Sequence, residues 1–186
     1  TKFLFWIQNN FNKKKITELS AQKKLLNFIK KYKKFKSLSF PTISSTGPNA
    51  AIIHYNVSKK TNRVLKNKDI YLVDSGGQYH FGTTDVTRTI SLNTKDKKIK
   101  KIFTRVLQGH LNLSNSRLTK NTTGSDLDKV ARKKLKKMNL DYAHGTGHGV
   151  GYFLNVHEGP QSISKFNKIK LKPGMILSNE PGYYEK

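Results

Sequence analysis

From His144 to Gly151 the chain reads His-Gly-Thr-Gly-His-Gly-Val-Gly, with glycine at every second position. Without a Cβ, glycine lets neighbouring backbone approach closely. A fold that carries this segment must therefore press other chain onto it while leaving the imidazoles of His144 and His148 facing a cleft. His157 follows, so three histidines fall within fourteen residues. Upstream, Asp74 ends the apolar run Ile70-Tyr-Leu-Val73, and Asp85 opens Val86-Thr-Arg-Thr-Ile90 after a loop with Gly82. Downstream, Glu180 ends Leu177-Ser-Asn and precedes Pro181-Gly182. A carboxylate at the end of a buried strand is costly unless it is paired or metal-bound. A hairpin would return Asp85 beside Asp74, where two carboxylates repel and a cation relieves the repulsion. Two aspartates, a glutamate and one histidine suit a pair of divalent ions, Mn²⁺ above all. Two such ions can activate water against an amide. The remaining histidines could hydrogen-bond a substrate or a developing oxyanion.

Composition narrows the class further. A chain of 186 residues with 35% hydrophobic and 10% aromatic residues can bury one sizeable core. The net charge is +25, but 31 of the 36 basic residues are lysine. Bidentate recognition of phosphates and bases favours arginine, so specific nucleic-acid binding is not expected. The lysine pairs 30–31, 33–34, 97–98, 100–101, 133–134 and 136–137 read as solvated helix faces, with salt-sensitive, sequence-indifferent adhesion to polyanions at most. The absence of cysteine excludes disulfides and thiolate metal sites and fits a cytoplasmic enzyme. The apolar opening Phe3–Ile7 is too short for a signal peptide or a membrane span.

Thr17 reads as the N-cap of a helix carrying Leu19, Leu25, Leu26, Ile29, Tyr32 and Phe35. A second helix is expected over Thr94–Asn115 with Ile99, Ile102, Phe103, Val106, Leu107 and Leu111 buried, and a third from Ser125 with Leu127, Val130, Ala131, Leu135 and Met138. Strands are expected at Ala51–Tyr55, Ile70–Val73, Val86–Ser91 and Met175–Ser178, and the whole reads as an α+β domain with no linker to split it. His54 lies among apolar residues and could be core, while His80 and His110 suggest no role.

Several segments together resemble the catalytic domain of aminopeptidase P. They are Ser39–Asn49, Ile52-Ile-His-Tyr55, Asp74-Ser-Gly-Gly-Gln-Tyr79, Thr84-Asp-Val-Thr-Arg-Thr89, His144–Gly151, Phe153–Pro160 and Asn179-Glu-Pro-Gly-Tyr-Tyr184. The likeness spans nearly the whole chain and is nearest to the cytosolic, eukaryotic-type Xaa-Pro aminopeptidases of the pita-bread metallopeptidases. It implies a pita-bread fold, a curved antiparallel sheet with flanking helices, and hydrolysis of the bond between an N-terminal residue and a following proline. Prolidase, methionine aminopeptidase and a non-catalytic binding domain of the same fold are the alternatives. By the resemblance, Asp74 binds one ion, Asp85 bridges two and His148 is the single histidine ligand. Glu180 is both a ligand and a proton shuttle to the departing proline nitrogen. His54 and His157 hold substrate and stabilise the tetrahedral intermediate, and His144 lines the site behind them. The family's fifth ligand, a glutamate, is expected beyond Lys186, and Glu185 does not replace it. On that reading residues 1–186 are a C-terminally truncated catalytic domain, weak in metal binding and activity, whose upstream domains help form a homodimer.

Overall fold

The structure, a computed structural model, describes residues 1–153 and 155–185, so Leu154 of the Phe153–Pro160 segment and Lys186 lie outside the described residues. It contains two compact units, residues 1–95 with the last residues from Tyr184 onward, and residues 96–183.

In the first unit, α1 (Lys2–Asn10) and α2 (Glu18–Lys30) are followed by β1 (Phe35–Leu38), β2 (Ile43–Thr46), a 3₁₀ turn (Gly47–Ala51), β3 (Ile70–Ser75), β4 (Gly77–Tyr79), β5 (Gly82–Thr83) and β6 (Val86–Ser91). Thr17 caps α2 as expected. Its Oγ1 accepts the Ser20 N–H at 3.2 Å, and Ser20 Oγ accepts the Thr17 N–H at 2.8 Å, satisfying two of the free donors of the first turn. The helix stops at Lys30, short of the expected Tyr32 and Phe35, and Phe35 instead begins β1. The opening apolar residues form α1, a helix too short for its periodicity to stand out in the sequence. Its Phe3 and Ile7, with Phe11 just beyond, recur every fourth residue and join Ala21, Leu25, Leu65, Tyr71, Val73 and Leu92 in one core.

Two antiparallel sheets complete this unit, in the orders β2-β3-β6 and β1-β4-β5. The expected strand at Ala51–Tyr55 does not form. That segment leaves the 3₁₀ turn and bends again, because side chains at both ends are tied to one buried carboxylate. Glu18 accepts from Asn49 Nδ2 at 3.1 Å and from Tyr55 Oη at 3.0 Å. Extended chain could not bring positions 49 and 55 to a single point.

In the second unit, α3 (Lys97–Ser114) and α4 (Gly124–Lys136) precede β7 (Gly147–Gly149) and β8 (Glu158–Ile163). Asp96 caps α3, its Oδ1 accepting the Lys98 and Ile99 N–H groups at 2.6 and 3.2 Å. The buried face of α3 differs from expectation. Ile102, Gly109 and Leu113 are buried, while Phe103, Leu107 and Leu111 are about half exposed. Gly109 explains the choice of stripe, since a Cβ there would collide with the Ala131 carbonyl of α4. The helices meet where the side chain is missing.

This contact decides the sign of one substitution. Gly→Ala inside a helix ordinarily gains about 1 kcal/mol. Overpacking against backbone costs about 1–3 kcal/mol. Gly109→Ala is therefore expected to lower the thermal unfolding midpoint, and a raised midpoint would show that α3 and α4 can part freely.

The expected strand Met175–Ser178 is reduced to an isolated bridge between Leu177 and Gly149. The turn at Pro173-Gly174 delivers this segment to β7 only briefly before Pro181. Every described lysine is exposed except Lys24 and Lys134, which are half-buried. Among the described residues, no helix is long and apolar enough to cross a membrane.

Candidate active site

Each unit holds part of the expected ligand set. In the first, β3 and β6 are antiparallel with Asp74 opposite Thr87 and Ser75 opposite Val86. Asp85 precedes β6, two residues before Thr87. Asp74 and its partner Thr87 share a face of the sheet, and Asp85 lies in the non-strand link just before β6. The carboxylates are half-buried. His54, expected as possible core, is exposed and sits at a φ of +56° in the turn after Ala51.

In the second unit, His148 on β7 meets Glu180. Nε2 of His148 lies 2.9 Å from Oε1 of Glu180, and both atoms are shut off from solvent. The ring's other nitrogen is committed, with Nδ1 donating to the Gly149 carbonyl at 2.8 Å. Nε2 is thus the atom aimed at the carboxylate. Burial pushes the Glu180 carboxyl up. Hydrogen bonds from His148 and Ser178, with the charges of His148 and His144, outweigh burial and hold it below the usual range.

The backbone fixes this couple. The Ser178 N–H donates to the His148 carbonyl at 2.8 Å, the His148 N–H donates to Ser178 Oγ at 3.0 Å, and the Glu180 N–H donates to the Thr146 carbonyl at 2.7 Å. The alternating glycines permit it. A Cβ on Gly147 would strike the Ser178 carbonyl, and one on Gly149 the Glu158 carbonyl. The His157 ring stands edge-on to that of His148, centroids 4.0 Å apart. His144 instead packs against Tyr142 at 4.9 Å, its Nδ1 donating to the Gly145 carbonyl at 2.7 Å.

Sequence reasoning missed several residues that hold this region. His110 Nδ1 contacts the Asn179 carbonyl at 3.2 Å, and Asn179 Nδ2 donates to the His110 carbonyl at 3.0 Å and to Ser114 Oγ at 2.9 Å. The residue beside Glu180 is thereby latched to α3. On α4, Arg132 and Asp128 are buried with Tyr142 and Thr146. Arg132 grips Asp128 through Nε at 2.8 and 2.9 Å, reaches Asp141 Oδ1 and the Tyr142 carbonyl at 2.6 Å, and reaches the His144 carbonyl at 2.7 Å. Its guanidinium also lies 3.8 Å from the centre of the Tyr142 ring. Only the i, i+4 spacing of Asp128 and Arg132 hinted at this pair.

Burial pushes the Asp141 carboxyl up. The Arg132 hydrogen bond, the Tyr142 N–H and the charges of Arg132 and Lys136 outweigh that and hold it below the usual aspartate range. A lowered folded value stabilises the fold above the ordinary carboxylate value, and the gain is lost as pH falls through the lowered one. Asp141→Asn is therefore expected to unfold at a lower temperature than the parent near neutral pH, with the gap closing in acid. A gap that widens in acid would overturn this.

The family model for metallopeptidase family M24 matches residues 2–186. The chain belongs to metallopeptidase family M24. Among curated relatives of this M24 chain, a "Probable Xaa-Pro aminopeptidase P" of Fusarium vanettenii is 49% identical over 189 residues, covering 99% of the chain and 30% of the relative. One of the same name from Talaromyces stipitatus is 47% identical, covering 100% of the chain and 29% of the relative. Among solved structures, the X-prolyl aminopeptidase of Caenorhabditis elegans, described as a cytosolic enzyme with a di-nuclear active site, superposes with a TM-score of 0.93 at 40% identity, over 100% of the chain and 30% of its own. A Xaa-Pro dipeptidase of Bacillus anthracis gives 0.86 at 28% identity, over 99% and 49%. The M24 chain thus has the pita-bread fold and spans about 30% of the length of the curated relatives it matches.

Proposed function

We propose that this M24 chain is part of the catalytic domain of a metal-dependent aminopeptidase that releases the N-terminal residue from peptides with proline second. The observation that carries the reading is the His148–Glu180 couple, half-buried side chains whose facing atoms are shut off from solvent 2.9 Å apart. A nitrogen lone pair and a carboxylate oxygen aimed at each other need a cation between them, either a proton or a metal. Three carboxylates and one imidazole suit divalent ions of Mn²⁺ type better than a thiol-seeking metal. The relatives' names, and the di-nuclear site stated for the nematode enzyme, support two ions and Xaa-Pro peptides.

Asp74, Asp85, His148 and Glu180 would hold the ions. When bound, the ions supply Lewis acidity and a nucleophilic water at neutral pH. Glu180 would carry a proton to the departing proline nitrogen, which has no hydrogen of its own. His54 and His157 would orient the peptide and donate to the oxygen that gains charge. His144 would line the site behind them. The cytosol, a homodimer and the absence of any specific nucleic-acid or membrane partner belong to the same proposal.

The test is Mn²⁺ titration followed by product analysis on three substrates, made on the protein extended to the length of its curated relatives, because residues 1–186 alone are expected to be weakly active. Release of the first residue from a tripeptide with proline second supports the reading. Cleavage of Xaa-Pro dipeptides alone would make the protein a prolidase, and release of methionine from Met-Ala-Ser a methionine aminopeptidase. Metal binding with no cleavage of any would indicate a binding domain.

A further inference from the structure

Through Thr146 the buried charges of α4 reach toward both members of the His148–Glu180 couple. Its side chain is fully buried. Oγ1 lies 2.6 Å from Asp128 Oδ1 and 2.5 Å from Tyr142 Oη. The carboxylate accepts only, so the threonine proton goes to Asp128, and Tyr142 must donate to Thr146. Tyr142 keeps that proton, because burial pushes its hydroxyl up to about 12. The hydroxyl relay therefore runs one way, from Tyr142 through Thr146 to Asp128, and Arg132 clamps Asp128 at its far end. The same threonine's carbonyl accepts the Glu180 N–H, and His148 is two residues on along β7.

We propose that Thr146 is a positioning residue. It transmits the rigidity of the Asp128–Arg132 pair to His148 and Glu180, and so sets the distance between the two groups that meet a metal ion. The proposal rests on the metal reading of that couple. A threonine that only filled space would serve equally well as valine, which has the same shape but neither donates nor accepts. Loss of the hydroxyl would leave Asp128 Oδ1 and Tyr142 Oη to seek new partners, and the strand they hold would shift with them.

The experiment compares Thr146→Val, Thr146→Ser and Tyr142→Phe in the whole chain. The first readout is amide hydrogen exchange without metal. Thr146→Val should speed exchange at His148 and Glu180 by tenfold or more while the amides of α3 and α4 keep their parent rates, because the defect is local. Thr146→Ser should stay within twofold of the parent, and Tyr142→Phe should fall between. The second readout is Mn²⁺ affinity by calorimetry, where Thr146→Val should lose about 10–100-fold, the usual effect of removing a group that orients a ligand. Equal acceleration throughout residues 96–183, or no acceleration at His148 and Glu180, would reduce Thr146 to ordinary packing and overturn the proposal. If Thr146→Val does not fold, Tyr142→Phe carries the same comparison. His148→Ala separates the two ideas. Unaltered Mn²⁺ binding in that variant would sink the metal reading, while the exchange pattern at Thr146 would still stand or fall by itself.

Discussion

Asp85→Ala is expected to weaken Mn²⁺ binding at both ions of the proposed centre, and His148→Ala at one only. The difference follows from the donor atoms. A carboxylate has two oxygens and can bridge two cations. The His148 imidazole has one nitrogen to offer, since Nδ1 is committed to the Gly149 carbonyl. Removing Asp85 also removes negative charge that offsets two dications held close together. Groups that merely orient a ligand are worth about 10–100-fold in affinity, so loss of a direct ligand should exceed about 100-fold. Calorimetric titration to millimolar Mn²⁺ reads both stoichiometry and affinity, and weak sites are counted at that concentration. If His148→Ala empties both sites and Asp85→Ala one, the assigned roles are reversed. If neither variant changes binding by more than threefold, the ligand set is wrong.

Glu18→Ala is expected to destabilise the first unit by at least about 2 kcal/mol. Glu18 is fully buried at the first position of α2. Its carboxylate accepts the Thr46 N–H at 2.8 Å, the Arg63 N–H at 2.9 Å, Tyr55 Oη at 3.0 Å and Asn49 Nδ2 at 3.1 Å. Four donors converging on one group use about its full accepting capacity. Alanine would orphan the Thr46 and Arg63 N–H groups, at about 1–3 kcal/mol each before any water enters, and would leave Asn49 Nδ2 and Tyr55 Oη with the Thr61 carbonyl at 3.1 Å as their remaining acceptor. That sum is a large fraction of the stability of a small domain. Urea titration followed by far-UV circular dichroism measures it, and a loss under 1 kcal/mol would show that the cluster is solvated or replaceable. The same substitution should free the turn that presents His54, because Asn49 and Tyr55 bracket it.

Local chemistry was the legible part of this fold. Thr17 announced a helix start through its side chain, and Asp74 and Asp85 announced strand ends by being charged beside apolar runs. The M24 membership was readable because the motif residues occur in order along the chain. What escaped sequence reading depended on partners distant in the chain. On α3, two apolar stripes run side by side, and periodicity cannot say which faces α4; Gly109 decides only once Ala131 is known to lie against it. The segment 51–55 has strand-forming residues, yet a carboxylate more than thirty residues upstream bends it. Asp128 and Arg132 stand on a lysine-rich helix, and nothing nearby in sequence reveals that Thr146 and Tyr142 will be buried with them. His110 was passed over for the same reason, since Asn179 is 69 residues away.

The glycine alternation along β7 also limits how the protein could be redesigned. At Gly147, Gly149 and Gly151 a Cβ would run into backbone from Ser178, Glu158 and Asn155, whereas at Gly145 it would meet only ordinary contacts. A library that diversifies every position from 144 to 152 would therefore spend a third of its sites on residues that admit no side chain. The usable alphabet sits at the even numbers. There, His144 and His148 belong to the proposed site and Thr146 to the buried relay, which leaves Val150 and Tyr152 as the places where new specificity can be written without disturbing the strand.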